Sequence, residues 1–245
     1  MHGRVMLVMG ATGAAGSATV RRLGANGATV VAVGRRADAL DALAHETGAV
    51  PMVADATDGA QIDEVVARTI SQFGRLDGAA NLVGSVVLKP AHLTRDEEFA
   101  ATLQVNLWSA FWLLTAAVKV MDQGGSIVLA STAAVRTGLP NHEAIAAAKG
   151  AVEGLALSAA ATYAPKQIRV NVVAPGLVRA AMTARITGSA PALAASTAMH
   201  ALGRIGEGDD VASAVCWFLD PTNSWTTGQV LGLDGGLGAL RGRPG

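Results

Sequence analysis

The stretch VMLVMGATGAAGSATV, Val5 to Val20, decides the fold. Val5 to Met9 is an unbroken apolar run between Arg4 and Gly10, the pattern of a strand buried on both faces. Gly10, Gly13 and Gly16 follow at three-residue spacing, and from Ser17 an amphipathic helix runs until it stops near Gly27. Glycines at such a corner permit a tight turn and bring backbone N–H groups at a helix start close to a pyrophosphate. The same spacing also serves a turn needed only for close helix packing, so the strand-turn-helix context is what gives the triplet its value.

Outward from this corner the rhythm repeats. Ala28 to Gly34 reads as a second strand, and Leu40 and Leu43 lie at helical spacing before a terminating Gly48. AVPMVAD ends a third strand at Asp55, AQIDEVVARTISQFG is helical, and LDGAANLVG is a fourth strand running into a loop at Gly84. A helix is expected over Phe99 to Met121, a strand ending near Ser131, a helix from Ala144 to Tyr163 and a sixth strand at IRVNVVAPG. The helix DVASAVCWFLD and the strand GQVLGLDGG complete the series. Strands alternating with helices of this length give βαβ units, whose right-handed crossovers place helices on both faces of a parallel sheet. Residues 182 to 202 carry few strand signals and form either a substrate lid or a packed helical insertion. The final LRGRPG reads as a short exposed or intersubunit tail.

Size and composition bound the function. A chain of 245 residues fits one α/β domain with a deep core. Hydrophobic residues make up 51% and charged ones 16%, so apolar surface is left over for partner subunits. The 19 basic and 19 acidic residues cancel, and no basic run exceeds two, which argues against nucleic acid or an anionic membrane as the main partner. One cysteine, Cys216, allows no internal disulfide or cysteine-built metal cluster, and fits a reducing compartment. The first ten residues are too short an apolar run for a membrane span or a signal segment. The expectation is a soluble, cytoplasmic protein acting on a small molecule, without a metal.

Arg35 and Arg36 follow the second strand, where a site for NAD would usually carry an acid for the ribose hydroxyls. Guanidinium groups there suit a ribose phosphate and favour NADP over NAD, the alternative being two solvated arginines. Asp55, at the end of the third strand, stands either beside an adenine edge or as a strand-end cap. Lys149 is the only lysine between Met121 and Pro165 and lies in a helix of small residues.

These segments together resemble the short-chain dehydrogenase/reductase family over essentially the whole chain. The match runs through GATGAAG, DATD at Asp55 to Asp58, NLVG at Asn81 to Gly84, VNLWSAF with Asn106, and GSIVLAST. It continues with Lys149, RVNVVAPGLVRAAM and TTGQVLGLDGG. The resemblance implies a three-layer Rossmann-type α/β sandwich with a seven-stranded parallel sheet, usually assembled as a tetramer. It implies an NAD(P)(H)-dependent oxidoreductase of a carbonyl/alcohol pair. Cofactor contacts are then implied at Gly10, Thr12, Gly13, Ala15 and Gly16 in the first turn, and at Arg35, Arg36, Asp55 and Ala56 after the second and third strands. Asn81, Val83 and Gly84, with Lys149, and then Pro175, Gly176 and Val178, complete that set.

The chain also departs from the family. Met9 stands where the family has threonine and Ala14 where it has the second glycine, with Gly13 offering an alternative spacing. Leu82 and Val83 replace Asn-Ala, and Ala180 replaces a threonine. Family catalysis uses asparagine, serine, tyrosine and lysine, with tyrosine and lysine four apart. Asn106 and Lys149 match, Thr132 falls at the serine with Ser131 just before it, and Ile145 falls at the tyrosine. The only tyrosine is Tyr163, so no shift of register restores the phenol. Ile145 can neither give nor take a proton. His142 and Glu143 are the nearest titratable substitutes, and both also read as ordinary helix-start residues. The expectations are therefore an atypical oxidoreductase, a catalytically degenerate subunit binding an intact homologue or a ligand, or a non-redox lyase or isomerase. A homodimer or homotetramer accompanies the first.

Overall fold

The computed structural model describes residues 1–240. Beyond Leu240 the expected tail lies outside the described residues. Seven parallel strands form one sheet in the order β3-β2-β1-β4-β5-β6-β7. They are β1 Val5–Met9, β2 Thr29–Gly34, β3 Val50–Val53, β4 Gly78–Asn81, β5 Gly125–Ala130, β6 Ile168–Pro175 and β7 Val230–Leu233. The order reverses between β1 and β4, which pair in register from Met6 opposite Gly78 to Met9 opposite Asn81. In open parallel sheets such a reversal leaves a crevice beyond the strands' carboxyl ends, where ligands bind.

The two-residue period of each strand fills two cores. Leu7 and Met9 of β1 face one side with Val31, Ala79, Ile127, Leu129 and Val172. Over them lie α3 Gly59–Phe73, α5 Ser109–Val118 and α6 Glu143–Tyr163. Met6 and Val8 face the other side with Val30, Ala80, Val128 and Val173. They are covered by α1 Ala14–Ala25, α2 Ala37–Thr47 and α9 Gly208–Leu219. All five residues of β1 are buried, which is why the run carries no polar alternation.

The helix expected over Phe99 to Met121 is broken in its middle. It consists of α4 Asp96–Leu103, a π-helical turn Gln104–Trp108, and α5. Side chains compete there for the carbonyls that helical N–H groups would take: Asn106 Nδ2 donates to the Thr102 carbonyl at 2.9 Å and the Ser109 hydroxyl to the Val105 carbonyl at 2.6 Å. Strand β3 ends at Val53 rather than Asp55, and β7 at Leu233, where Asp234 turns the chain by accepting the Gly236 and Gly238 N–H groups.

Between β6 and α9 come the short α7 Ala184–Thr187 and α8 Ala190–Met199, so residues 182 to 202 are mostly helical. None of the residues of α7 or α8 is buried. Asp96–Val118 and Glu143–Lys166 are long and apolar enough to cross a membrane by length and composition, yet 50% and 44% of their apolar windows are buried within the chain. Their inner faces cover the sheet.

The start of α1 is held by α9. A side chain on Gly208 would collide with the Ala14 carbonyl oxygen. Gly208→Ala should therefore push α1 off its seat, costing about 2 kcal/mol or more, as overpacking of a close contact does. Denaturant unfolding measures this.

Candidate active site

At the reversal point the turn after β1 and the loop after β4 nearly touch. Gly10 has φ +76°, and a Cβ there would lie 2.9 Å from the Leu82 carbonyl carbon. Gly16 fits against the Gly10 carbonyl with no room for a side chain. Both glycines are thus required by close backbone approach, and they keep their places even with Ala14 where the resemblance leads one to expect the second glycine. Gly13 is the N-cap of α1, which therefore has no side-chain cap, and there is no acid in its first turn. By contrast, Asp58 caps α3 through the Ala60 and Gln61 N–H groups. The uncapped N–H groups of α1, beside Thr12 and Ala15, suit the pyrophosphate of a dinucleotide.

At the ends of β2 and β3, Arg35 and Arg36 are exposed, and Thr12 packs against Gly34. The Asp55 carboxylate accepts the Thr57 N–H at 2.9 Å and its hydroxyl at 2.8 Å. The Thr57 N–H chiefly holds it below the usual carboxylate range, and the Thr57 hydroxyl and the Arg35 charge add to this. Ala56 is buried beneath this loop. Gln104, in the π-helical turn, donates to the Thr57 carbonyl at 2.9 Å. The broken helix thereby connects the Asp55 loop to the centre of the crevice.

That centre holds Asn81, Val83, Gly84, Asn106 and Lys149. Asn81 closes the loop by accepting the Val83 N–H and donating to the Ser109 hydroxyl. Asn106 accepts the Ser85 N–H at 3.2 Å and donates to the Ser85 hydroxyl at 3.0 Å. A side chain on Gly84 would enter the space between Asn106 Oδ1 and Lys149 Nζ, 3.2 and 3.7 Å from its Cβ. The Lys149 side chain reaches this space from α6. The residue is only 6% exposed, and its ammonium has one long contact, 3.5 Å to the Val83 carbonyl. Among the described residues no carboxylate lies within ion-pair distance of it. Burial alone pushes its pKa down to about 8. An ammonium has three donors, so Lys149 can still bind an oxygen-rich ligand.

Ile145 lies one helical turn before Lys149 and is buried, though it joins neither of the two main cores. Thr132 lies two residues beyond β5, its hydroxyl accepting the Ala134 N–H at 3.3 Å, which leaves its own proton free to donate. Ser131 is differently placed from the expectation of a second site hydroxyl. It donates to Glu153 at 2.8 Å, and the Glu153 carboxylate also faces Arg136 at 3.6 Å. Ser131 therefore positions the Thr132 loop. His142 rests its Nδ1 on the Pro140 carbonyl at 2.8 Å, within its own loop, and Glu143 is exposed at the start of α6. Tyr163 packs on the sheet core, about 27 Å along the helix from position 145 at 1.5 Å per residue.

Pro175, Gly176 and Val178 leave β6 toward α7, where the Thr183 hydroxyl donates to the Val178 carbonyl at 2.6 Å and accepts the Ala180 N–H. Of the apolar residues that could line a substrate pocket, Leu93, Met182, Met199 and Leu202 are exposed, while Leu139 and Leu193 are half-buried. Sequence reasoning missed Ser85, Gln104, Glu153 and His200. Glu153, four residues after Lys149 and eight after Ile145 on one helical face, had a readable signal; the other three had none. Cys216 is buried, and its thiol is pushed up to about 12, mainly by that burial.

Residues 10–238 match the family model described as enoyl-(acyl carrier protein) reductase. The chain is 35% identical to a 3-oxoacyl-[acyl-carrier-protein] reductase of Thermotoga maritima, covering 97% of this chain and 98% of that protein. It is 33% identical to a 2,5-dichloro-2,5-cyclohexadiene-1,4-diol dehydrogenase of Sphingobium indicum, covering 98% and 99%. Among solved structures, a short-chain type dehydrogenase/reductase from Mycobacterium ulcerans superposes with TM-score 0.94 at 30% identity, over 99% of this chain and 92% of that one. A variant of actinorhodin polyketide ketoreductase with NADPH gives 0.91 at 25% identity, over 97% and 98%.

The buried ammonium of Lys149 has a thermodynamic consequence. Its pKa falls from the ordinary lysine value to about 8 on folding, so below pH 8 the free protein holds a charge that the unfolded chain solvates better. The cost there is about 3 kcal/mol, and it disappears as pH rises from 8 toward 10.5. Lys149→Met should therefore stabilise the nucleotide-free protein at pH 7, with the gain shrinking above pH 8. Urea unfolding at pH 7 and pH 10 measures it; equal or lower stability of the variant at pH 7 would contradict the burial argument.

Proposed function

The chain belongs to the short-chain dehydrogenase/reductase family, and from that footing we propose that it is an NAD(P)(H)-dependent oxidoreductase of atypical site, acting on a carbonyl/alcohol pair. The observation that carries this reading is Lys149, whose buried, carboxylate-free ammonium faces the gap over Gly84 beside Asn106. A bound nicotinamide dinucleotide supplies or takes up the hydride. Lys149 would hold its ribose hydroxyls, and the glycine turn with the free N–H groups of α1 would hold its pyrophosphate. Exposed Arg35 and Arg36 support NADP over NAD, because guanidinium pairs strongly with a ribose phosphate. Asp55 would meet the adenine edge with its free Oδ2.

Thr132, with its donor proton unassigned, would hydrogen-bond the carbonyl oxygen of the substrate. Ile145 excludes water from one side but brings no proton. The proton must then come from water ordered between Asn106 and Lys149, or from the Lys149 ammonium itself. Loss of a positioned acid costs about 10²- to 10⁴-fold in rate, so slow turnover is expected. Phe99, Trp108, Phe111 and Leu157 are exposed apolar side chains on α4 to α6 and support assembly with further copies, as a dimer or tetramer in the cytoplasm.

Ile145 also favours a second reading, a degenerate subunit that binds nucleotide or an intact homologue without catalysis. One experiment separates the two. Fluorescence titration should show saturable NADPH binding, about tenfold or more tighter than NADH, with the difference erased by Arg35→Ala and Arg36→Ala together. Reduction of an aldehyde and ketone panel should be slow in the natural protein and rise at least about tenfold in Ile145→Tyr. Binding without any turnover in the natural protein would support the degenerate subunit. Neither binding nor turnover would contradict both readings.

A further inference from the structure

His200 is the only buried residue between Ala174 and Ile205, and only 3% of it is exposed. Everything else in that segment, including all of α7 and α8, is half-buried or exposed. Both ring nitrogens of His200 are engaged. Nδ1 lies 2.7 Å from the carbonyl of Ser196 in the last turn of α8, and the Leu177 N–H donates to Nε2 at 3.2 Å. A carbonyl cannot donate and an N–H cannot accept, so the partners fix the neutral tautomer with its proton on Nδ1. The Ser196 carbonyl belongs to the last turn of a helix, where backbone acceptors lack intrahelical partners. The ring also explains Gly176: a Cβ there would lie 2.7 Å from Nε2 and 3.0 Å from the Asp234 Cα. From the other side Gly235 closes on the ring, its Cβ position 3.4 Å from that of His200, and the Leu202 N–H donates to the Gly235 carbonyl.

We infer that His200 is a positioning residue that couples α8 to the Pro175–Val178 loop, so that binding of a nicotinamide dinucleotide at that loop orders α8 over the opening. One imidazole caps α8 with one nitrogen and holds Leu177, between Gly176 and Val178, with the other. Without the ring the 30 residues between Ala174 and Ile205 have no buried side chain among them. The other ties of the loop are the Gly176 N–H to the Leu233 carbonyl, the Thr183 hydroxyl to the Val178 carbonyl, the Arg179 N–H to the Gly206 carbonyl, the Gly206 N–H to the Leu177 carbonyl, and the Arg179–Glu207 ion pair. They fasten it to β7, to the turn before α7 and to the start of α9, and none reaches α8. The inference rests on nucleotide binding in the crevice and needs no turnover.

The two nitrogens can be removed one at a time. His200→Gln places an acceptor near the Nε2 position and drops the donor to Ser196; His200→Asn keeps a donor near Nδ1 and drops the acceptor for Leu177. The probes are NADPH itself, hydrogen exchange of 184–199, and trypsin cleavage after the exposed Arg185. In the natural protein NADPH should slow both exchange and cleavage about tenfold or more. The Asn variant should bind NADPH about tenfold more weakly and lose that protection even at saturation. The Gln variant should bind NADPH within about threefold of the natural protein, while exchange at the end of α8 is faster with and without nucleotide. Nitrogen NMR of the natural protein should show His200 unprotonated at Nε2, a readout independent of either variant folding. A proton on Nε2, bound NADPH that leaves 184–199 unprotected, or two variants with the same profile would overturn the coupling. A natural protein that binds no NADPH would overturn the proposed function as well.

Discussion

One ammonium group constrains the whole site. Lys149 is delivered into the crevice by a helix rich in alanine, glycine and aliphatic residues, and there it meets a single distant carbonyl. Proteins seldom retain a buried charge without a carboxylate, because desolvation destabilises the charged form. Several other features serve the space in front of this group. Gly84 leaves it open, the π-helical turn brings Asn106 to its edge, and the Ser131–Glu153 bond fixes the loop that carries Thr132. The site is less stable than a filled core would be, and the proposed binding of ligand oxygen atoms would account for that cost.

Position 145 is the complement of this arrangement. An isoleucine one turn before Lys149 leaves the site able to hold a ligand while reducing its means of moving a proton. Thr132 and Lys149 keep exchangeable protons near the opening, whereas Ser131, His142 and Tyr163 are engaged elsewhere. The chemistry is thus expected to depend on ordered water, and so on whether the opening closes. That links the proton problem to α8, whose exposed apolar side chains at Met199 and the adjacent Leu202 have no cover in the single chain. The exposed aromatic cluster of Trp108 and Phe111 lies directly after Asn106, so an assembly formed through it would also stiffen the π-helical turn.

Much of this was legible in the chain because burial on both faces leaves a simple mark. The run Val5 to Met9, the glycine turn and the terminating Gly48 are local signals of strand, turn and helix end, and the structure follows them. The break inside Phe99 to Met121 was not legible, since it arises from Asn106 taking a backbone carbonyl while Ser85 across the crevice holds the same side chain. The direction of the Ser131 hydroxyl depends on a carboxylate 22 residues away. His200 sits in a segment whose sequence reads only as a lid or an insertion, and its importance comes from a glycine 24 positions earlier that must make room for the ring. Local pattern specifies elements; long-range hydrogen bonds between loops do not announce themselves in spacing.

The most direct measurement of the central claim is an NMR titration of the Lys149 side-chain ammonium, without and with saturating NADPH. The account predicts a pKa of about 8 in the free protein and a clear rise on binding, as ribose oxygens and phosphate charge replace the missing partners. An ordinary lysine value in the free protein, or a value that NADPH leaves unmoved, would contradict it.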